Sequence, residues 1–241
     1  MEPTSPDFLQ HLDESSATLV RLAGAALDTV VADCPGWVGR DLIVHVGRVY
    51  AAVTTVVNDR ATTPVDPGDA ATAPDGDLVL EWFAERRASL LTALRTTPPD
   101  TPVWTWAANQ SVGFYHRRLA HETAVHVCDL QRALGVEVGM NRDLAVDGID
   151  EFYGVVAPSS LSRGRRTVPS GSIHLHCTDG DGEWLVVPVD GRLVMTHEHA
   201  KGAVAWRGPA AALVLSAWGR ANTGVEALGD AEVSAQWSAL A

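Results

Sequence analysis

Glu122 and His126 stand four residues apart in the stretch 115–134, YHRRLAHETAVHVCDLQRAL, with Asp129 one turn further on. The stretch has no Gly or Pro, and Leu119, Val125, Val127, Leu130 and Leu134 recur at helical spacing, which predicts a helix. At about 100° per residue, Glu122, His126 and Asp129 project within roughly 60° of one another, with Arg118 and Tyr115 on the same stripe. One turn of helix brings an i, i+4 carboxylate and imidazole close enough to share a divalent ion. Such a pair also occurs on solvated surfaces, so a third ligand must come from elsewhere in the chain. His45 is the best candidate, on a second predicted helix where Asp41, His45 and Arg48 share a face. Two imidazoles and one carboxylate suit zinc or another divalent metal such as Fe(II), Ni(II) or Mn(II), and three protein ligands leave a position open, as in catalytic sites. Asp129 is placed either to hold an imidazole N–H from behind or to be a fourth ligand, and Asp41 to do the former for His45. The order here is HExxxH and not HExxH. His121 projects about 100° from Glu122, which counts against a conventional peptidase.

The elements that must position these residues are legible in order. An amphipathic helix is expected over 5–31, with Phe8, Leu12, Leu19, Leu22, Ala26 and Val30 near one face, broken by the turn Cys34-Pro35-Gly36-Trp37. A second is expected over 40–58, then a Pro/Gly/Asp/Thr loop over 59–76, and a third helix over 78–94 ended by Pro98, Pro99 and Pro102. Trp104 and Trp106 lie in the connection to the 115–134 helix, and a short helix is expected over 143–155. The segment 158–170, rich in Pro, Ser, Gly and Arg, reads as a linker. Beyond it the period changes to two. Ile173, Leu175 and Cys177 alternate with His174, His176 and Thr178, strands follow over 183–189 and 192–196, and a further one is expected over 203–207. A helix over 210–218 opens at Pro209, and segments 225–228 and 233–240 close the chain. The expected architecture is an α domain over 1–157 and a small α+β domain over 171–241. His174 and His176 share a strand face, but nothing in the sequence ties them to His197 and His199.

The 241-residue chain is 46% hydrophobic and 20% charged, enough for a sizeable core. Its formal net charge is −12 and Lys201 is its only lysine, so it would be repelled by phosphate backbones; no nucleic acid is expected as a partner. The arginines Arg163, Arg165 and Arg166 are the nearest thing to a basic cluster. No apolar run approaches the roughly 20 residues of a membrane span, and no basic-then-apolar leader opens the sequence, so no membrane partner and a cytoplasmic location are expected. Cys34, Cys128 and Cys177 are odd in number and in no metal-binding spacing, which reads as buried reduced thiols.

The sequence resembles the mycothiol-dependent maleylpyruvate isomerase family of actinobacteria. The matching pieces are CPGW at 34–37, RDLIVHVGR at 40–48, RRLAHETAVHVCDL at 117–130, AALVLSAWGR at 211–220 and LGD at 228–230. The resemblance implies a DinB-like four-helix bundle followed by a small α+β domain. It implies a metal held by His45, Glu122 and His126, and an arginine contributing to catalysis at Arg220. It also implies a mechanism in which the metal holds mycothiol as a thiolate that adds to a conjugated cis double bond. Rotation and loss of the thiol then give the trans product. A guanidinium fork at Arg220 is well shaped for a substrate carboxylate, and Arg48 and Arg118 are candidates for binding anionic parts of the thiol cofactor. Relatives commonly place Ser or Thr after the PGW as a helix cap, where this chain has Val38-Gly39. The expected partners are a small-molecule thiol and an electrophilic or carboxylate substrate. A mycothiol S-transferase needs the same thiolate without the elimination. A non-catalytic metal- or thiol-binding module and a metal-dependent hydrolase are the readings from other classes.

Overall fold

Asp7 opens the first helix, α1 (Phe8–Ala26), by accepting the Gln10 N–H at 3.0 Å. The computed structural model describes residues 7–220 and 224–241, so positions 5 and 6 of the expected first helix lie outside the described residues. It divides into two compact units, Met1–Gly139 and Met140–Ala241. In the first, α2 (Gly39–Asn58), α3 (Leu78–Thr96) and α4 (Val112–Ala133) complete a bundle. There α1 packs chiefly on α4 and α2 on α3, with further contact between α1 and α3 and between α2 and α4. The apolar stripes read from the sequence meet inside it: Leu12 and Leu19, Leu42 and Val46, Phe83 and Leu90, Leu119 and Leu130 are all buried. Their burial, at ~1.5–3 kcal/mol for each large side chain, is the main stabilising contribution to this unit. A single 3-10 turn, Gly68–Ala71, forms within the expected loop 59–76.

α1 stops five residues sooner than expected, so Val30 is 70% exposed and Val31 takes the buried place. The early stop lets the end of α1 cap the start of α2. Leu27 O accepts the Arg40 N–H and Thr29 O the Gly39 N–H, each at 2.9 Å, so donors that a helix N-terminus leaves unpaired are met by backbone. Asp41 reaches back to the Val38 N–H at 2.9 Å. This is the use of Asp41, in place of the expected contact with His45, and it explains why no Ser or Thr is needed after the tryptophan. Close approach requires glycine at 39, because a Cβ there would lie 2.0 Å from Ala26 O. Gly39→Ala is therefore expected to destabilise the protein by about 1–3 kcal/mol despite alanine's better helix propensity, measured as a drop in the denaturation midpoint.

The second unit begins earlier than the expected boundary at 157. α5 (Arg142–Glu151) continues through a π-helical turn, Phe152–Val156, into α6 (Ala157–Ser162), and α5 packs against α7 (Ala210–Ala217) of the same unit. Helix thus occupies the first half of the expected linker 158–170. Pro158 is tolerated because it falls in the first turn of α6, directly after the widened turn. Leu144, Ile149 and Phe152 are fully buried, which is why this segment belongs with the sheet it covers and not with the bundle.

β1 (Ile173–Cys177), β2 (Glu183–Val189), β3 (Arg192–Thr196), β4 (Val204–Gly208) and β5 (Glu226–Gly229) form one mixed sheet in the order β3-β2-β1-β4-β5. Only the β1–β4 pairing is parallel. Ile173, Leu175, Trp184, Val186, Val204 and Trp206 are buried with Leu213 of α7 and Trp237 of α8 (Ala231–Ser238). Asp230 caps α8 by accepting the Glu232 and Val233 N–H groups, which gives the LGD triplet a structural reason. Among the described residues no helix is long and apolar enough to cross a membrane.

Candidate metal centre

His45 projects from the middle of α2, and Glu122 and His126 from successive turns of α4. His45 Nε2 lies 3.0 Å from Glu122 Oε1, and His126 Nε2 lies 3.4 Å from the same oxygen. One donor atom from each of the three falls within 4.8 Å of the other two. The two imidazole rings meet edge to face, 5.2 Å apart. The i, i+4 pair on α4 and the lone histidine on α2 converge as the helical spacing requires, because the bundle brings α2 against α4.

The two on α4 are each held from behind. Asp129 Oδ2 sits 2.9 Å from His126 Nδ1, which leaves Nε2 facing Glu122 and His45. Asp129 and Glu122 therefore flank opposite edges of one ring. Asp129 orients the imidazole from behind and is not a fourth member of the His45–Glu122–His126 set. Arg118, 5% exposed, donates to Glu122 Oε2 at 2.8 Å, one turn back along α4. Burial pushes the Glu122 carboxyl toward neutrality. Bonds to His126 and His45 and the charge of Arg118 outweigh it and hold the group ionised, well below the usual carboxylate range. Burial likewise opposes charge on His126, but Asp129, Cys34 and Glu122 together hold its proton well above the usual histidine range.

Two residues at this centre were visible in the sequence only as part of a turn motif. The Cys34-Pro35-Gly36-Trp37 segment closes with the Trp37 N–H on Cys34 O at 3.0 Å, and Gly36 has φ +84°, the left-handed conformation that the position after the turn proline demands. The turn sets the Trp37 indole 5.1 Å from the His45 ring and stacks it 6.4 Å from that of His126. Cys34 is half-buried, its Sγ 3.5 Å from Asp129 Oδ2, so it is not the remote buried thiol its spacing suggests. Cys128 and Cys177 are buried, as expected, and burial raises the Cys177 thiol to about 11. His121 points elsewhere, its ring 6.0 Å from Phe8. Tyr115 turns to the Trp104 carbonyl at 2.8 Å.

The donor set fits a divalent ion: two imidazole nitrogens and one ionised carboxylate aimed at a common point, with each α4 ligand fixed by a partner. Asp129→Asn, which keeps the shape and removes the charge behind His126, is expected to weaken zinc binding by about 10–100-fold, read by competition with a chromophoric chelator.

Two family profiles match the sequence. The one described as the mycothiol maleylpyruvate isomerase N-terminal domain covers residues 8–131, and the corresponding C-terminal domain covers residues 143–236. The chain belongs to the mycothiol-dependent maleylpyruvate isomerase family. No curated protein matches it by sequence. A crystal structure of the mycothiol-dependent maleylpyruvate isomerase shares the fold, with a TM-score of 0.64 at 16% identity over 91% of each chain. The structure of a histidine-to-alanine mutant of that isomerase gives 0.63 at the same identity and coverage.

The remaining family positions sit as follows. Arg48 is exposed one turn beyond His45 and donates from Nε to Ala71 O at 3.2 Å, while Arg118 is engaged with Glu122. Neither arginine is a bare cation on the stripe where the sequence placed it. The family's Gly-Arg pair ends α7. Gly219 takes φ +70° and its N–H meets Ser216 O at 3.0 Å, while the Arg220 N–H meets Leu215 O at 2.9 Å. This Schellman closure fixes the Arg220 backbone, and its Nη1 donates to Trp218 O at 2.7 Å.

Proposed function

We propose that this protein is a metal-dependent enzyme that uses mycothiol to isomerise a cis double bond conjugated to a carbonyl, as in maleylpyruvate. The convergence of His45, Glu122 and His126 within 4.8 Å supports this reading most directly. A zinc ion held by those three side chains would make the thiol of mycothiol available near neutral pH as the thiolate that an addition, rotation and elimination sequence requires.

The chain's own residues supply the rest. Asp129 keeps the His126 ring in the orientation that presents Nε2, and the two histidines together with Arg118 keep Glu122 ionised. Trp37 sets an apolar ring beside both imidazoles, which lowers the local polarity on that side of the donor set and strengthens its electrostatics. Arg220 carries a planar fork of donors suited to the carboxylate of an acidic substrate, on a backbone that the end of α7 holds fixed.

Zinc-loaded protein incubated with mycothiol and maleylpyruvate tests the reading. Turnover without net loss of thiol is expected. Stoichiometric consumption of thiol would make it an S-transferase instead, turnover without thiol a hydrolase, and no reaction with any electrophile a binding module. Arg220→Ala is expected to leave zinc content unchanged and to lower turnover of the carboxylate substrate by about 10²-fold, since a charge-assisted pair contributes about 1.5–3 kcal/mol. An unaltered rate would remove its role.

A further inference from the structure

The second unit contains another cluster of metal-ligating side chains, which the activity above does not use. His174 and His176 alternate onto one face of β1, and Glu183 on β2 stands directly opposite His176 in the antiparallel register. His199, in the connection from β3 to β4, comes over the same face. Glu183 Oε1 lies 2.5 Å from His176 Nδ1 and 2.9 Å from His199 Nδ1. The His174 ring is 5.2 Å from that of His199 and 6.2 Å from that of His176. His197, two residues away, takes no part: its Nε2 lies 2.7 Å from Asp150 Oδ1. Arg207, opposite His176 on β4, pairs with Glu226.

One atom in this cluster is unsatisfied. His174 is 7% exposed, and its Nε2 is buried without a hydrogen-bond partner among the described residues. A buried ring nitrogen left unpaired costs about 1–3 kcal/mol, and sheets seldom keep one without a use for it.

We infer that His174, Glu183 and His199 form a second binding site for a late first-row divalent cation such as zinc, lying wholly within the second unit. One donor atom from each lies within 4.8 Å of the other two. Ligands bonded to one tetrahedral ion at about 2.0–2.2 Å stand roughly 3.5 Å apart, so a side-chain adjustment of about an ångström closes the set. Imidazole and carboxylate donors select zinc, copper or nickel over magnesium or calcium. His176 holds the Glu183 carboxylate from the strand side. An ion there ties the β3–β4 connection, through the exposed His199, to the β1–β2 pair. The site therefore acts as a clip on the sheet, independent of the bundle's chemistry.

Zinc titration of the untagged full chain, with bound metal counted after gel filtration, tests this. His45→Ala, which disables the bundle site, is expected to retain one equivalent of zinc and to show a raised unfolding midpoint with zinc. Adding His199→Ala to it removes both. Adding His197→Ala leaves both intact. His199 has a 78% exposed side chain, so its loss does not endanger folding. The inference is overturned if His45→Ala binds no zinc, if the equivalent survives His199→Ala, or if His197→Ala abolishes it equally. None of these readings depends on whether the bundle is an isomerase.

Discussion

Replacing His126 with alanine is expected to reduce zinc at the bundle site to background and to lower thiol-dependent turnover by about 10³-fold, since the ion supplies several kcal/mol. His45→Ala should do the same from the other helix. The fold should survive both changes. The bundle is held by buried apolar residues such as Leu12, Leu19, Ile43, Leu90 and Leu130, and His45 is itself partly exposed. Helical circular dichroism close to wild type, alongside the metal loss, is therefore the expected pair of readouts. The metal-free centre also predicts a pH dependence. An ion can take His126 Nε2 only after the ring loses its proton, and Asp129, Cys34 and Glu122 hold that proton above the ordinary histidine range near 6.5. Zinc affinity should be flat at alkaline pH and begin to fall, as pH is lowered, before 6.5 is reached. His126→Ala protein that keeps the bundle zinc, with His45→Ala keeping it too, would end the assignment.

The helical part of the fold was legible because its periodicity is clean and its breaks are chemically marked. The expected 40–58 and 115–134 helices form as Gly39–Asn58 and Val112–Ala133, and each strand expected in the second unit forms within a residue or two of its place. What misled was composition read as topology. Pro158 and the small residues around it suggested a linker, but the π turn before them accommodates the proline and the helix runs on to Ser162. No local pattern says that α5 will pack against α7, since that choice is made by tertiary contact.

The centre was legible where one helix carries the information and obscure where tertiary contact does. Glu122, His126 and Asp129 follow from spacing, while His45 needed only that α2 and α4 be neighbours. That Asp129 lies behind His126 could not be chosen over a fourth-ligand role, because both place it on the same stripe. Trp37 and Cys34 were hidden because a turn has no periodicity to show which way its side chains go. The Pro-Gly turn aims them, and the backbone bonds within it and the bridge between Val30 and Val38 fix that aim. The histidines of β1 and the β3–β4 connection posed the same difficulty, a long-range pairing with no local signal.

Glu122→Gln is expected to have the largest effect on stability, because this carboxylate serves both sides of the centre. Oε1 faces His45 and His126, and Oε2 accepts from Arg118, whose side chain is 6% exposed. A glutamine offers one acceptor and one donor. If its oxygen stays with Arg118, its NH₂ points at both imidazoles and the ion loses its oxygen ligand. If it turns over, the NH₂ meets the guanidinium donors. Either way a buried positive charge loses the anion bound to it, at a cost of about 3 kcal/mol, or about 10 °C in unfolding midpoint. Chelator-treated protein should show the effect without any metal. The folded-state carboxyl titrates well below the ordinary value near 4.3, so its stabilisation is fully present above that pH and is lost as pH falls through the folded value. The gap between wild type and Glu122→Gln should accordingly be wide at pH 7 and narrow steadily below about 4.3. A gap that holds constant into acid would mean that the carboxylate's charge is not what secures Arg118 and the two histidines.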